Sequence, residues 1–234
     1  TIPTLTKVMV DFTTGVIVFE ASETLKLDDK NVSLFNVHLA NTTGDFRTHK
    51  NINTLTPQVT FQQRQHDAVN LEGARFVNQN SLAITITMTE RQRVAALVLS
   101  GQSGGDRTPL VADISHGFII DMALNTNNKQ YRLVVHETKD SGAPLLVATT
   151  LFYETGMLVL TFNETIDATP ISLVNLSKIS IVNVTNDDFI RLSSYPPSTV
   201  VASEAQNVSI RLSEYHRAQA IALSGTKGGD GSPI

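Results

Sequence analysis

The sequence predicts an all-β protein that consists of two copies of one repeat. Three observations support this prediction: apolar residues alternate with polar ones, the same short motifs occur twice, and turn-forming residues separate the apolar segments. Alternation with a period of two is typical of strands that bury one face. Two segments show it most clearly, one in each half of the chain: Leu82, Ile84, Ile86 and Met88, and Val208, Ile210 and Leu212.

The internal repeat is visible at both ends of the two copies. At the beginning of the repeat, an offset of 141 residues aligns Thr14-Gly15 with Thr155-Gly156. Toward its end, an offset of 124 residues aligns Gly104-Gly105-Asp106 with Gly228-Gly229-Asp230. Because the offsets differ by 17 residues, we expect copy 1 to carry an insertion of that length within 45–80.

The predicted strands indicate the type of β fold. Copy 1 covers residues 1–142 and copy 2 covers residues 143–234. Besides the two alternating segments, we predict strands at Leu5–Phe12, Gly15–Phe19, Leu34–Leu39, Gln58–Phe61, Phe118–Leu124, Tyr131–His136, Leu145–Phe152, Gly156–Phe162, Lys178–Val184 and Phe189–Leu192. Helix signals are weak and predict single turns at Thr89–Arg93 and Ser213–Arg217. About seven short strands in copy 1, with frequent turns, predict tandem immunoglobulin-like β-sandwiches.

The second repeat is expected to lack its last strands. Counterparts of Phe118–Leu124 and Tyr131–His136 would follow Ile234, where the sequence stops. Either the chain is part of a longer array, or another molecule completes copy 2. In the second case a segment such as Phe118–His136 of a neighbouring molecule is the natural donor, because an open sheet edge accepts an added strand.

Composition and charge exclude several classes of function. The net charge of −4, from 18 basic and 22 acidic residues, argues against nucleic acid as a partner. No apolar run approaches the roughly 18 residues of a membrane span, so none is expected in this segment. The absence of Cys excludes disulfides, thiolate metal sites and cysteine nucleophiles. Much of the polarity comes instead from 27 Thr, 18 Ser and 16 Asn.

No pattern predicts a catalytic residue, and we expect that the protein is not an enzyme. Gly101–Gly105 matches the G-x-S-x-G motif, which needs a preceding strand and a following helix. Copy 2 has Lys227 where copy 1 has Ser103, so a glycine-rich turn is the better interpretation. Glu90 and Glu214 recur at matching positions, and a repeated fold explains a repeated carboxylate better than two active sites do.

Calcium is the one metal for which the sequence gives a weak signal. The candidate ligands are oxygen-bearing side chains in three clusters: Asp28 with Asp29, Asp187 with Asp188, and Asp121 with Asn125, Asn127 and Asn128. Each cluster has only one or two carboxylates, whereas calcium takes about six or more oxygen ligands. The alternative is ordinary turn chemistry, in which Asn and Asp bind the local backbone. No cofactor is therefore expected, with calcium as the open alternative.

The chain contains six N-glycosylation sequons. They are Asn31, Asn41, Asn163, Asn175, Asn183 and Asn207. Chance would give about three in this composition, so six is a modest excess. In a eukaryotic secretory route these residues would carry N-linked glycans. The alternative is that a surface rich in Thr and Asn forms sequons incidentally, and Asn183 is the doubtful one because alternation places it on the face of Ile179 and Ile181.

The repeat resembles a known family in three elements: Pro3–Leu5 with Thr14-Gly15, the matching segment Pro144–Thr165, and Ile119–Asn125. That family comprises tandem immunoglobulin-like repeats of very long secreted or surface proteins of algae, other protists and some bacteria, including components of flagellar hairs (mastigonemes). The chain departs from it in the longer middle of copy 1 and the truncated copy 2. The resemblance implies a structural or adhesive role outside the cell and transfers no catalytic residue.

Two functions are therefore expected from the sequence. The first is a structural segment of an extracellular filament or cell-surface fibre, whose partners are copies of itself or neighbouring repeats of a longer chain. The second is an adhesin module that binds a carbohydrate or protein ligand. Sugar stacking would require aromatic side chains, and the four tyrosines are scattered in sequence: Tyr131, Tyr153, Tyr195 and Tyr215.

Overall fold

A computed structural model of the chain describes residues 1–26, 32–41, 68–79, 82–166, 170–185, 187–204 and 206–231. The chain forms two compact units, Thr1–Gly142 (unit 1) and Ala143–Ile234 (unit 2). Strands make up most of the regular structure of both units, which confirms the prediction of an all-β fold. The predicted strand Gln58–Phe61 and much of the range 45–80 lie outside the described residues.

Unit 1 contains one eight-stranded sheet. Its strands are β1 (Leu5–Asp11), β2 (Val16–Ala21), β3 (Val37–Asn41), β4 (Val69–Asn70), β5 (Arg75–Gln79), β6 (Ala83–Thr87), β7 (Leu110–Ile114) and β8 (Gln130–Thr138). Their order in the sheet is β4-β3-β7-β8-β1-β2-β6-β5. Neighbours are antiparallel except β1 and β8, which are parallel. Strands β7 and β8 therefore lie between β3, which pairs with β4, and β1, which pairs with β2.

Alternating apolar residues form the core of unit 1. Ile17 pairs with Val10 on one side and Ile86 on the other, and all three side chains are buried. Full burial of an aliphatic side chain of this size stabilises a fold by about 1.5–3 kcal/mol. The ring of Phe19 packs edge-on against that of Phe118, with ring centroids 5.3 Å apart. The core thus depends on the period-two pattern that predicted these strands.

Strand β7 is buried on both faces although it contains a carboxylate. All five of its residues are buried, including Asp113. The Asp113 carboxylate accepts a hydrogen bond from the backbone N–H of Arg132 at 2.7 Å. Arg132 has a φ of 56° and lies where the β7–β8 pairing is irregular. The carboxylate is therefore tolerated because it binds a backbone group that a bulge leaves without a ladder partner.

Unit 2 repeats part of this architecture with six described strands. They are β9 (Leu146–Phe152), β10 (Met157–Phe162), β11 (Ser180–Val182), β12 (Phe189–Arg191), β13 (Thr199–Glu204) and β14 (Asn207–Arg211). They form a sheet of order β13-β14-β10-β9 and a separate pair β11-β12. The register is repeated as well, since Leu158 pairs with Ile210 as Ile17 pairs with Ile86.

The predicted single helical turns are wrong in length. Each unit has a nine-residue α-helix, α1 (Glu90–Val98) and α2 (Glu214–Ala222). The side chains of Thr89 and Ser213 accept a backbone N–H in the first turn, which is the usual role of an N-cap. In α1 the N-cap is reinforced by Gln92 in a capping box. The spacing Thr-x-x-Gln was the sequence signal for this helix.

Two further strand predictions need correction. Phe118–Leu124 is not a strand: it contains a turn with isolated bridges from Leu25 to Asp121 and from Ile120 to Thr126. Leu34–Leu39 begins as a 3-10 helix before β3. Other short 3-10 helices span Ile171–Leu173 and Leu176–Lys178.

Within the described residues, unit 2 has no counterpart of β7 or β8. Strand β9 lies at the end of its sheet with β10 as its one described neighbour, and β11 pairs with β12 alone. In unit 1 the corresponding strands β1 and β3 are covered on that side by β8 and β7. The strands lacking a described counterpart are therefore β7 and β8: the predicted Tyr131–His136 lies within β8, whereas the predicted Phe118–Leu124 is replaced by β7.

We predict that the backbone amides of β9 and β11 exchange with solvent faster than those of β1 and β3. A strand with one neighbour leaves part of its amides unpaired, and unpaired amides lack protection. Hydrogen–deuterium exchange of the whole chain measures this difference. Strands β2 and β10 are the matched control because both have two neighbours, and they should be similarly protected. Equal protection of β1 and β9 would contradict an open edge at β9.

Candidate functional site

An apolar groove of about 730 Å³ opens beside β9 and β11 in unit 2. Leu151, Leu158 and Leu160 line one side of it, and Ile179 and Ile181 line the other. These five side chains belong to or pack against the hydrophobic core of unit 2. The groove is therefore an opening onto the core.

Apolar side chains at this opening are exposed, although their counterparts in unit 1 are buried. Leu146 on β9 is 53% exposed, whereas Leu5 at the same position of β1 is 3% exposed. Val182 on β11 is 43% exposed, whereas Ala40 at the same position of β3 is 1% exposed. The two units thus differ in what covers these edges.

Strands β7 and β8 provide the cover in unit 1. Leu110, Ala112 and Ile114 of β7 are fully buried and belong to the core cluster of that unit. At the start of β8, the side-chain amide of Gln130 accepts a hydrogen bond from Leu5 N and donates one to Leu5 O, at 2.8 and 3.0 Å. In unit 1 the aliphatic side chains of β7 and the amide of Gln130 therefore cover the region that is open in unit 2.

An arginine ties helix α1 to the first hairpin of unit 1. Arg93 donates from Nη1 to the carbonyl oxygen of Phe12 at 2.9 Å and to Asp140 at 2.7 Å. Its Nε donates to Glu90 at 2.7 Å. The hydrogen bond to Glu90, followed by the charges of both carboxylates, raises the pKa of Arg93 above its ordinary value. A glycine with φ 69°, Gly15, leaves room for the aliphatic part of this arginine.

The same arrangement recurs in unit 2 without the second carboxylate. Arg217 donates to the carbonyl oxygen of Tyr153 at 3.0 Å and to Glu214, and it packs on Gly156. Among the described residues, Glu214 is its one carboxylate partner. The Arg217 side chain is 29% exposed, against 8% for Arg93. The repeated glutamates are thus helix ion-pair partners, and Arg217 lacks the equivalent of Asp140.

The segment Gly101–Gly105 is a close-packed turn. It follows helix α1 and precedes strand β7, the reverse of the strand–helix order that a nucleophile elbow requires. A Cβ at Gly105 would overlap the carbonyl oxygen of Ser100, and one at Gly229 would overlap that of Ser224. Close packing therefore explains why this glycine recurs in both units.

Two of the six sequon asparagines are buried structural residues. The Nδ2 of Asn41 donates to Asp106 at 2.9 Å, and the Nδ2 of Asn183 donates to Asp230 at 2.8 Å. Both asparagines are at most 2% exposed. An N-linked glycan would replace a hydrogen of this same nitrogen and would have no room. In the folded units the Nδ2 atoms of Asn41 and Asn183 are therefore not accessible for glycan attachment.

Three other sequon asparagines lie on the surface of unit 2. Asn163, Asn175 and Asn207 are exposed. The hydrogen bonds described for these side chains use Oδ1, and none uses Nδ2, the atom that a glycan modifies. The sixth, Asn31, lies outside the described residues.

The described calcium candidates that carry a carboxylate take part in turns, and Asp28 and Asp29 lie outside the described residues. Both oxygens of Asp121 accept hydrogen bonds from Asn125, one from its backbone and one from its side chain, at 2.8 Å each. The side-chain hydrogen bond is the main reason that the pKa of Asp121 is lowered. Asp187, with φ 61°, and Asp188 lie in a turn closed by backbone hydrogen bonds with Asn183. Within the described ranges, no three His, Asp or Glu side chains come together as a metal site would require.

Helix α2 of unit 2 carries a buried histidine. His216 is fully buried, and its Nδ1 lies 2.9 Å from the hydroxyl of Ser198. Its Nε2 has no partner among the residues that the structure describes. Burial lowers the pKa of His216 below its ordinary value. Unit 1 has the neutral Gln92 at this position, which donates to two backbone carbonyls.

The comparisons with protein-family models and with curated proteins found no match to this chain. In the described part of the chain, no helix is long and apolar enough to cross a membrane. The features of the chain that bear on its function are therefore the groove, the open strand edges and the surface sequons.

We predict that Asn183→Ala lowers the free energy of unfolding of unit 2 by about 1–3 kcal/mol, because it removes a fully buried amide whose Nδ2 donates to Asp230 and whose Oδ1 accepts the backbone N–H of Thr185. The matched control is Asn207→Ala, which removes an exposed asparagine and should change the free energy by about 0.5 kcal/mol or less. Denaturant titration followed by circular dichroism measures both. Equal effects of the two substitutions would contradict a structural role for Asn183.

We predict that unit 2 becomes less stable as the pH falls below the ordinary histidine pKa of 6.5. The unfolded chain binds a proton in this range, whereas folded His216 has a lowered pKa and resists protonation, so acid favours unfolding. Above pH 6.5 the contribution of neutral His216 to the free energy of unfolding is fully retained. The variant His216→Gln carries the residue of unit 1 and should abolish this dependence between pH 7 and 5. Denaturation midpoints at several pH values measure it, and an unchanged pH dependence in the variant would exclude His216 as the cause.

Proposed function

We propose that the chain is a structural segment of an extracellular, N-glycosylated filament or cell-surface fibre. In this proposal both units are immunoglobulin-like repeats, and repeats join through the edges of their sheets. The partners are other copies of this chain or neighbouring repeats of a longer one. No residue of the chain has a catalytic role.

The open edge of β9 beside the apolar groove is the observation that carries the proposal. An exposed edge strand is a template for pairing with another chain, and proteins that stay monomeric usually protect such edges. Here the edge adjoins exposed Leu146 and Val147 instead of the charges or prolines that block pairing. The combination of unpaired backbone groups and apolar side chains favours coverage by further strands, which another copy or a neighbouring repeat of a longer chain would supply.

The positions of the surface sequons support an extracellular setting that is compatible with assembly. The described asparagines Asn163, Asn175 and Asn207 are exposed, and none of them lines the groove. Glycans at these positions would leave the groove accessible to a strand. The repeat motifs that resemble secreted and surface proteins point to the same setting.

The contacts that recur in both units favour a structural role. The arginine–carbonyl bond, the arginine–glutamate pair and the buried Asn–Asp bond occur once in each unit. The arginine–carbonyl bond connects the helix to the first hairpin turn of its unit, the arginine–glutamate pair lies within the helix, and the Asn–Asp bond connects the end of a strand to the turn after the helix. Repeating them preserves the shape of a building block.

We predict that the whole chain self-associates as its concentration rises and that Val147→Lys prevents this. A lysine on an edge strand opposes strand addition, because pairing would bury its charge. The matched control is Val201→Lys on β13, the opposite edge strand of the same sheet, where the valine is 47% exposed against 60% for Val147. Sedimentation velocity and negative-stain electron microscopy measure the assemblies.

A wild-type chain that stays monomeric at all concentrations would overturn the proposed self-association and would favour the ligand-binding adhesin. Equal loss of assembly in Val147→Lys and Val201→Lys would exclude the β9 edge as the specific contact.

A further inference from the structure

One glycosylation sequon of unit 2 lies within a paired strand rather than in a loop. Its asparagine, Asn207, is the first residue of β14, and β10 and β13 pair with β14 on its two sides. Asn207 is exposed, whereas Val208 and Ile210 belong to the core of unit 2. Alternation therefore places Asn207 and Ser209, the two residues that define the sequon, on the outward face of the sheet.

A hydrogen bond across the sheet fixes the orientation of the Asn207 side chain. Thr161 of β10 lies directly opposite Asn207, and its hydroxyl donates to Oδ1 of the asparagine at 2.8 Å. An N-linked glycan replaces a hydrogen of Nδ2 and leaves Oδ1 an acceptor, so this bond is compatible with the modified side chain. The buried sequons differ in this respect, because Asn41 and Asn183 use Nδ2 itself as the donor.

The surface beside Asn207 is formed by short side chains. In the next row of the sheet, Val159 of β10 lies between Thr150 of β9 and Ser209 of β14. This row is about 7 Å from the row of Thr161 and Asn207, the distance of two residues along a strand. Val159 is partly exposed on the outward face. A sugar ring attached to Asn207 can therefore lie over Val159, with its C–H groups against the valine methyls.

Unit 1 has the same surface without a sequon at this position. The offset of 124 residues places Ala83 at the position of Asn207, and the offset of 141 residues places Glu20 at that of Thr161. Ala83 pairs with Glu20, and Val18 lies in the next row. The repeat therefore provides an internal comparison that keeps the strand geometry and lacks the glycan acceptor.

We propose that Thr161 orients Asn207 so that its N-linked glycan lies on the outward face of the β10–β14 pair and keeps this face out of contacts between repeats. The occupant of the face is thus a covalently attached glycan whose first sugar is N-acetylglucosamine. A bulky, hydrated group on the face leaves the edges of the sheet for association. This inference deepens the proposed function and rests on it for the secretory route in which glycans are attached.

The first experiment establishes whether Asn207 carries a glycan. The whole chain is secreted from a eukaryotic host, treated with peptide-N-glycosidase F in heavy-oxygen water, digested with trypsin and analysed by mass spectrometry. The tryptic peptide that follows Arg191 and ends at Arg211 contains one sequon, so its label reports on Asn207 alone. We expect this peptide to be labelled. An unlabelled peptide from the folded, secreted chain would overturn the inference.

The second experiment locates the glycan relative to the sheet. In the glycosylated chain with labelled valine methyls, we expect nuclear Overhauser effects between the N-acetyl group of the first sugar and Val159. The variant Thr161→Val keeps the sequon and should stay glycosylated, but it should lose most of this signal because it lacks the hydroxyl. The conservative variant Thr161→Ser should retain the signal. An occupied Asn207 without the effects in the wild type would overturn the proposed packing, and equal effects in Thr161→Val would exclude the orienting role of Thr161.

The variant Ala83→Asn is the matched control in unit 1, because it creates a sequon with Thr85 at the corresponding position. Glu20 lies opposite this position, and its carboxylate cannot donate a hydrogen bond to Oδ1. We therefore expect a glycan that gives no nuclear Overhauser effect to Val18. Effects as strong as those at Val159 would show that the threonine is not needed for the orientation.

The effect on association is tested with the secreted variant Asn207→Gln, which lacks this glycan and keeps an amide. We expect it to form laterally bundled assemblies in negative-stain electron microscopy and larger species in sedimentation velocity. The control Asn175→Gln removes another exposed sequon and should behave as the wild type does. Identical assemblies of Asn207→Gln and the wild type would contradict the blocking of the face.

The outcomes separate this inference from the proposed function. If the chain assembles and glycans are found at Asn163 or Asn175 but not at Asn207, the filament proposal stands and the inference is wrong. If Asn207 is glycosylated and its sugar contacts Val159 while the chain stays monomeric at all concentrations, the glycan site stands and the proposed self-association is wrong.

Discussion

A strand edge that adjoins a hydrophobic core leaves unpaired backbone groups next to apolar surface, which favours pairing with a further strand. In unit 1, β7 and β8 lie between β3 and β1 and cover both of these edges. In unit 2 the described strands β9 and β11 face the same region without such partners. Leu146 is exposed there and Leu5 is not, so a single difference in strand pairing accounts for the opening.

The rest of unit 2 keeps the geometry of unit 1 because its helix and turns are fastened by contacts that do not involve β7 or β8. Arg217 binds the hairpin carbonyl of Tyr153, and the buried amide of Asn183 binds Asp230. Gly229 allows a close approach to Ser224 that no other residue would permit. These contacts connect α2 and the following turn to the strands, so an acceptor groove can be preformed. Preformation lowers the ordering cost of binding an extended segment.

Much of the fold could be predicted from the sequence, because it depends on local pattern. Alternation and the repeat placed β1, β2 and β6 and their counterparts β9, β10 and β14 close to their observed positions. Strand β7 was missed because Asp113 interrupts its apolar run, and the hydrogen bond that explains this carboxylate comes from a bulge in another strand. Phe118–Leu124 was misread as a strand because Phe118 and Ile119 are buried, but Asp121 and Asn125 close a turn directly after them.

The candidate site could be predicted only in outline. The shortened second repeat indicated an open edge, but the identity of the missing strands depended on pairings between distant segments. Sequons are local motifs, whereas the burial of Asn41 depends on Asp106, far away in sequence. The difference between Arg217, with one described carboxylate partner, and Arg93, with two, was likewise unpredictable without the contact between Arg93 and Asp140 in unit 1. The strand pairings and side-chain contacts of unit 1 identify what unit 2 lacks, which the sequence pattern alone did not show.

The most direct test of the central claim is cryo-electron microscopy of assemblies formed by the chain, at a resolution that shows side chains. Our account predicts periodic fibres in which repeats of this type are joined and further strands pair with β9 and β11. In material from its natural source, density for glycans should extend from Asn175 or Asn207 and not from Asn41 or Asn183. Discrete particles with an empty groove beside β9 and bare asparagines would contradict the account.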